Sequence, residues 1–175
     1  MGNLPEIGPA TCRPETITIS PHWADHHFQG RAILPAVEAM QLLAHWVRRT
    51  RPRVRVSAIH QATFNKFLPL PPGKRSIDAF CETADIDTGG IRAALITKTV
   101  AKTAKIRRAL VHARLDFGSL SPKPPAGAHA SVPDPEGPCF KVDPGRIYTD
   151  LVPFGAGYRN ITSPLHLWPQ GAWAH

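Results

Sequence analysis

The stretch AVEAMQLLAHWVRRT, residues 36–50, most constrains what this chain can fold into. It holds no proline or glycine, and Pro35 stands directly before it, where a fixed φ favours a helix start. Val37, Met40, Leu43, Ala44 and Val47 recur at spacings of three and four, and Leu42 and Trp46 widen the apolar arc beyond one stripe. So broad an arc is not left to water. The spacing therefore predicts a helix wrapped by other elements.

From residue 54 to residue 118 the chain is β in character. Residues 54–70, 76–87, 91–100 and 105–118 alternate or run apolar, and LPPGK and DTGG mark turns between them. Upstream, TITI (16–19) reads as a short strand, and residues 1–15 read as an irregular arm interrupted by Pro5, Pro9 and Pro14. One buried helix followed by four long antiparallel strands predicts an α+β fold, a sheet curled round the helix, without the βα alternation of a Rossmann fold. Residues 119–138 hold Pro122, Pro124, Pro125, Pro133, Pro135 and Pro138 and almost no large apolar side chain, the composition of an extended linker. Globular character resumes over 139–175: Asp143 and Pro144 make a helix start, PFGAGYRN a glycine-bearing loop, and Trp168 and Trp173 are expected to supply core bulk. That tail is too short for an ordinary domain, so it is expected to pack on the first domain, on another chain or on a further portion of the protein.

Composition narrows the function classes. The chain has 175 residues, 42% of them hydrophobic, enough for a real core. No run approaches the ~20 apolar residues of a membrane-spanning helix, and the start lacks the order of a signal peptide, so a cytoplasmic protein without membrane contact is expected. Cys12, Cys81 and Cys139 are odd in number and lack C-x-x-C spacing, which indicates neither a disulfide framework nor a zinc ribbon. Lys plus Arg exceed Asp plus Glu by 21 to 13, with clusters at 48–55 and 102–108. Those clusters carry no interleaved aromatics and no nucleic-acid motif, so the expected polyanion is an acidic carrier protein or a phosphate-bearing cofactor arm, with a solvated basic face that binds nothing as the alternative.

The chemistry concentrates in DHHFQGRAILPAVEAM, residues 25–40. The N-terminus of a buried helix presents unpaired N–H groups and a positive dipole end, which stabilise charge on a carbonyl oxygen. A histidine on the loop leading into the helix, neutral near pH 7, could remove a proton alpha to that carbonyl. Gly30 would let the backbone approach the substrate. His22, His26 and His27 share one loop, without a helical i, i+4 pair or a carboxylate motif, so no metal site is expected.

HHFQGRAILP resembles the H-x-x-x-G-x-x-x-x-P motif of the dehydratase domains of polyketide and polyunsaturated-fatty-acid synthases, matched by His26, Gly30 and Pro35. The preceding WAD is similar to the W-L-x-D-H context of those domains. HFQGRAILP from His27 also resembles the shorter frame of bacterial 3-hydroxyacyl-ACP dehydratases, and TFNKFLPLPPG (63–73) is similar to one of their strands. In double-hotdog dehydratases the second half opens with a helix and a Y-G-P-x-F-like loop, which IYTDLVPFGAGYRN resembles through Phe154, Gly155 and Tyr158. The resemblance implies a hotdog fold, a long antiparallel sheet wrapped around one central helix, over residues 1–118. It further implies a linker over 119–138 and the beginning of a second hotdog over 139–175. The implied activity is dehydration of 3-hydroxyacyl thioesters carried on the phosphopantetheine of an acyl carrier protein, with no cofactor of the protein's own. A homodimer or a missing second half would complete the assembly.

In that scheme His26 is the base, with His27 as its rival in the shorter frame. Gly30 and Pro35 bind substrate with Phe154, Gly155 and Tyr158. The single-hotdog enzymes carry an acid six residues after the motif proline, where this chain has Gln41. Glu38 lies one turn earlier and is read as a polar residue favoured by the helix dipole. A hotdog thioesterase, in which Glu38 would activate water, and a non-catalytic acyl-binding or assembly module are the competing readings.

Overall fold

The computed structural model describes residues 9–87, 89–100, 107–118, 138–152, 154–169 and 171–174. Residues 119–137 of the expected linker (119–138) and residues 102–106 of the basic cluster at 102–108 lie outside them.

Ten strands are described. Five form the main antiparallel sheet: β1 (Thr11–Thr18), β4 (Ile59–Phe64), β5 (Ser76–Asp85), β6 (Ile91–Val100) and β7 (Arg107–Phe117), in the order β1-β5-β6-β7-β4. The chain enters that sheet earlier than the prolines foretold. Pro14 lies within β1 opposite Phe80, and β1 is an edge strand, where a missing N–H costs no ladder bond if it faces outward. The long strand expected over 54–70 shortens to Ile59–Phe64, because Val54 and Ala58 close turns onto Arg51 and Arg55 and Pro69, Pro71 and Pro72 follow.

Helix α1 (Ala36–Thr50) lies on one face of this sheet and buries Ala39, Leu43, Trp46 and Val47. Opposite them the strands present small side chains, Ala79, Ala93 and Ala113, beside Leu95 and Leu115. Small residues let the helix approach closely, and the larger ones fill the remaining gaps. Full burial of each large apolar side chain contributes roughly 1.5–3 kcal/mol. The apolar arc is rotated from the one read in the sequence: Val37 is exposed and Ala39 buried.

On β6 and β7 the opposite face is also buried. Arg92 and Asp116 pair there across the two strands through two bonds of 2.8 Å. The paired fork geometry satisfies both carboxylate oxygens in a place closed to water.

The tail forms elements of its own. β8 (Phe140–Val142), β9 (Leu165–Trp168) and β10 (Gly171–Trp173) make a three-stranded antiparallel sheet. Between β8 and β9 a helical turn starts at Pro144, capped by Asp143, whose carboxylate accepts the Gly145 N–H at 2.7 Å. It continues as a π-helical turn over Ile147–Leu151 that buries Ile147 and Tyr148. Trp168 and Trp173 are only half-buried, since they sit on a short hairpin rather than in the main core.

Candidate active site

The histidine loop is closed on itself by backbone hydrogen bonds. A 3₁₀ turn, Pro21–Asp25, buries Trp23, and the His26 N–H closes it on the Trp23 carbonyl at 3.1 Å. Strands β2 (His27–Phe28) and β3 (Arg31–Ala32) then pair through a two-residue turn, Gln29 at φ 49° and Gly30 at φ 72°. Positive φ at both positions is the hairpin turn that matches strand twist, and glycine adopts it without strain. Gly30 is therefore explained by the turn: it is exposed at the tip and lies outside the cavity lining, so the backbone approach to substrate expected of it is not where the structure places it. The Ile33 N–H bonds the His26 carbonyl at 3.0 Å, and the Leu34 N–H bonds Leu68 at 2.8 Å, so the loop leads directly into the buried Pro35 and α1.

Beneath it lies a cavity of about 220 Å³. Its lining includes His26, Ala36 and Ala39 from the start of α1, Phe64 at the end of β4, Phe67 after it, and His112. Pro35 caps α1, and the Ala39 N–H makes the first intrahelical bond back to it, at 3.0 Å. The N–H groups of the first turn before Ala39 have no acceptor within the helix. His26 and a helix N-terminus thus border one largely apolar space, while His27 stands exposed on β2.

Burial pushes the His26 imidazole below its ordinary value of 6.5, against a smaller opposite pull from the Ile33 backbone, with His27 adding slightly to the lowering. The ring is therefore neutral at pH 7. Its Nδ1 is buried with no hydrogen-bond partner among the described residues. A neutral imidazole beside unsatisfied helix N–H groups can accept a proton from carbon while the same N–H groups hold the oxygen that gains charge.

The tail closes the other side of the ring. Phe154 packs on His26 with centroids 4.7 Å apart, and Tyr158 meets it edge-on at 5.5 Å. Asp25 holds this loop: its carbonyl accepts the Gly155 N–H at 2.8 Å and its carboxylate the Gly157 N–H at 2.8 Å. A Cβ on Gly155 would lie 2.4 Å from the Asp25 carboxyl carbon, so only glycine fits. Burial, and then the negative charges of Glu38 and Asp25, push the Tyr158 phenol up to about 12.

Two residues of the site were not singled out from the sequence. Asp25 belonged to the quoted stretch, but nothing local marks it as the anchor for residues 155–157. His112 enters the cavity through a bulge: β6 pairs Leu95 with Ala113 and Ile96 with Val111, which leaves His112 as the extra residue. Its two ring nitrogens bond the Thr97 hydroxyl at 2.8 Å and the Lys66 carbonyl at 3.1 Å. Burial holds this imidazole below 6.5 as well. Among the described residues no carboxylate lines the cavity. Gln41 is exposed, and Glu38 is half-buried with the His22 imidazole 3.4 Å away.

Among the described residues no group of three His, Cys, Asp or Glu is placed to hold a metal ion, and no helix is long and apolar enough to cross a membrane. No protein-family model and no curated protein matches the chain. A solved structure does: a trans-AT PKS dehydratase domain from Brevibacillus brevis, similar at a TM-score of 0.64 and 16% identity over 94% of this chain. The antiparallel sheet with few helices is that dehydratase domain's fold, compatible with a hotdog. The chain spans 59% of the length of that domain.

Proposed function

We propose that the protein is a dehydratase-like enzyme of the hotdog type, acting on 3-hydroxyacyl thioesters carried on the phosphopantetheine of an acyl carrier protein. One observation carries the reading: a neutral, half-buried His26 and the free N-terminus of α1 face the same apolar cavity. His26 removes the alpha proton. The first-turn N–H groups after Pro35 hold the thioester oxygen as charge develops on it. In this reading Tyr158, protonated and in ring contact with His26, donates the proton to the departing hydroxyl. His27 supports the hairpin, and Phe154 and Gly155 keep the site closed.

In this reading residues 1–118 are a first hotdog around α1, 119–138 a linker, and 139–175 the opening of a second. The separate three-stranded sheet of the tail and the partial span of the dehydratase domain support that division. The second half, or a second copy of the chain, completes the assembly. The basic cluster at 48–55 lies at the far end of α1, roughly 22 Å from its start at 1.5 Å per residue. It offers an acidic carrier protein a docking surface set back from the cavity.

Incubation of the chain with 3-hydroxybutyryl-pantetheine tests the reading. The enoyl thioester is the expected product, seen by its absorbance. Release of the free acid instead would identify a thioesterase, and neither product from folded protein would leave a binding module.

A further inference from the structure

Ser20, His22 and Glu38 form a hydrogen-bonded series that the dehydration chemistry does not use. The Ser20 hydroxyl lies 2.7 Å from His22 Nδ1, and His22 Nε2 lies 3.4 Å from Glu38 Oε1. An ionised carboxylate only accepts, so Nε2 carries the imidazole proton and Nδ1 accepts from the serine hydroxyl. That is the order of a nucleophile, its base and the group that orients the base.

The ordinary explanation for such a serine is helix capping. Ser20 does stand at the cap position of the 3₁₀ turn, yet its side chain makes no cap bond there. The hydroxyl is committed to His22. The imidazole in turn lies beside the rings of Trp23 and Tyr158, at centroid distances of 6.2 and 5.9 Å.

Ser20 also lines a cavity of about 290 Å³ that shares no residue with the lining of the His26 cavity. Its walls include Ile19, Ala32 and Leu70, and Lys74 and Arg75 bring two positive charges. The lining fits a short acyl group joined to an anionic one.

We propose that Ser20, His22 and Glu38 constitute a second, hydrolytic site for short acyl esters or thioesters that bear a carboxylate or phosphate. Ser20 Oγ attacks the acyl carbonyl as its proton passes to His22 Nδ1. The bond to the alcohol or thiol then breaks, and the leaving group takes that proton. Water, deprotonated by the same imidazole, hydrolyses the acyl-serine to a carboxylic acid and restores the hydroxyl. Glu38 holds the ring and stabilises the imidazolium throughout.

The test uses the full chain with a fluorophosphonate probe, followed by mass mapping of the adduct, and with mono-p-nitrophenyl succinate beside p-nitrophenyl acetate. The expected result is one adduct on Ser20, absent from Ser20→Ala, and faster hydrolysis of the succinate ester. His22→Ala should slow labelling by about 100-fold or more, the scale of a lost general base. Circular dichroism confirms that each variant is folded. An unlabelled wild-type protein, or an adduct that persists in Ser20→Ala, would overturn the proposal.

Discussion

The rings of Phe154 and His26 pack 4.7 Å apart and tilted by 32°, so a residue of the C-terminal tail covers a residue of the first loop. Asp25 secures the contact by accepting the N–H groups of Gly155 and Gly157. The candidate base is thus partly covered by a segment that a sequence reading assigns to a different unit.

Gly155→Ala should break this latch. The new methyl group would sit 2.4 Å from the Asp25 carboxyl carbon, and the loop must lift to relieve it. Once Phe154 leaves, His26 regains solvent, and its titration, followed by NMR of the ring protons, should move up toward 6.5. An unchanged His26 titration in the folded variant would show that the loop does not shield the ring.

Burial lowers the pKa of both His26 and His112, which sets the sign of the pH dependence. Between the folded values and 6.5 the unfolded chain binds more protons, so stability rises with pH there. The stabilisation is fully present above pH 6.5 and is lost as pH falls through the folded values. The Tm should therefore decline from pH 6.5 toward pH 5, and activity should decline with it as His26 protonates. A flat Tm across that window would contradict the burial of these rings.

Tyr158→Phe keeps the ring that packs on His26 and removes the phenol. The site should stay closed, with the His26 titration unchanged, while enoyl formation falls by about 100-fold or more as a positioned acid is lost. Full activity in this variant would assign the proton donor elsewhere.

Asp116→Ala leaves the Arg92 guanidinium buried without the carboxylate it grips through two bonds of 2.8 Å. With Arg92 and Asp116 side chains only 6% and 2% exposed, solvent cannot compensate. The loss should be about 3–5 kcal/mol in denaturant unfolding. A change below ~1 kcal/mol would mean that the pair is open to water.

How much of the fold and site is legible in the sequence depends on the range over which each signal acts. The α1 span is legible because periodicity and a flanking proline are local, and β6 is legible from the apolar run AALI (93–96) that follows DTGG. Pro14 misleads, because a proline within a strand is tolerable only at a sheet edge, and edge position is a property of the whole sheet. Motif context favours His26 over His27, yet the burial that lowers the His26 pKa is a tertiary property, and the rings of Phe154 and Tyr158 that pack on it come from the far end of the chain. His112 leaves no signal at all: its access to the cavity depends on a one-residue bulge, and strict alternation along β7 hides it. The Asp25 latch is equally invisible, since its two N–H partners come from the far end of the chain.

The assignment of His26 as the base is tested most directly by exchange of the alpha proton, which needs the base and not the acid. The chain would be incubated in D₂O with 3-hydroxybutyryl-pantetheine, and deuterium at the alpha carbon followed by mass spectrometry. Incorporation is expected with the wild-type protein and with His27→Ala, and its loss in a folded His26→Ala variant. Incorporation that survives in His26→Ala, or is absent from the wild-type protein, would contradict the assignment.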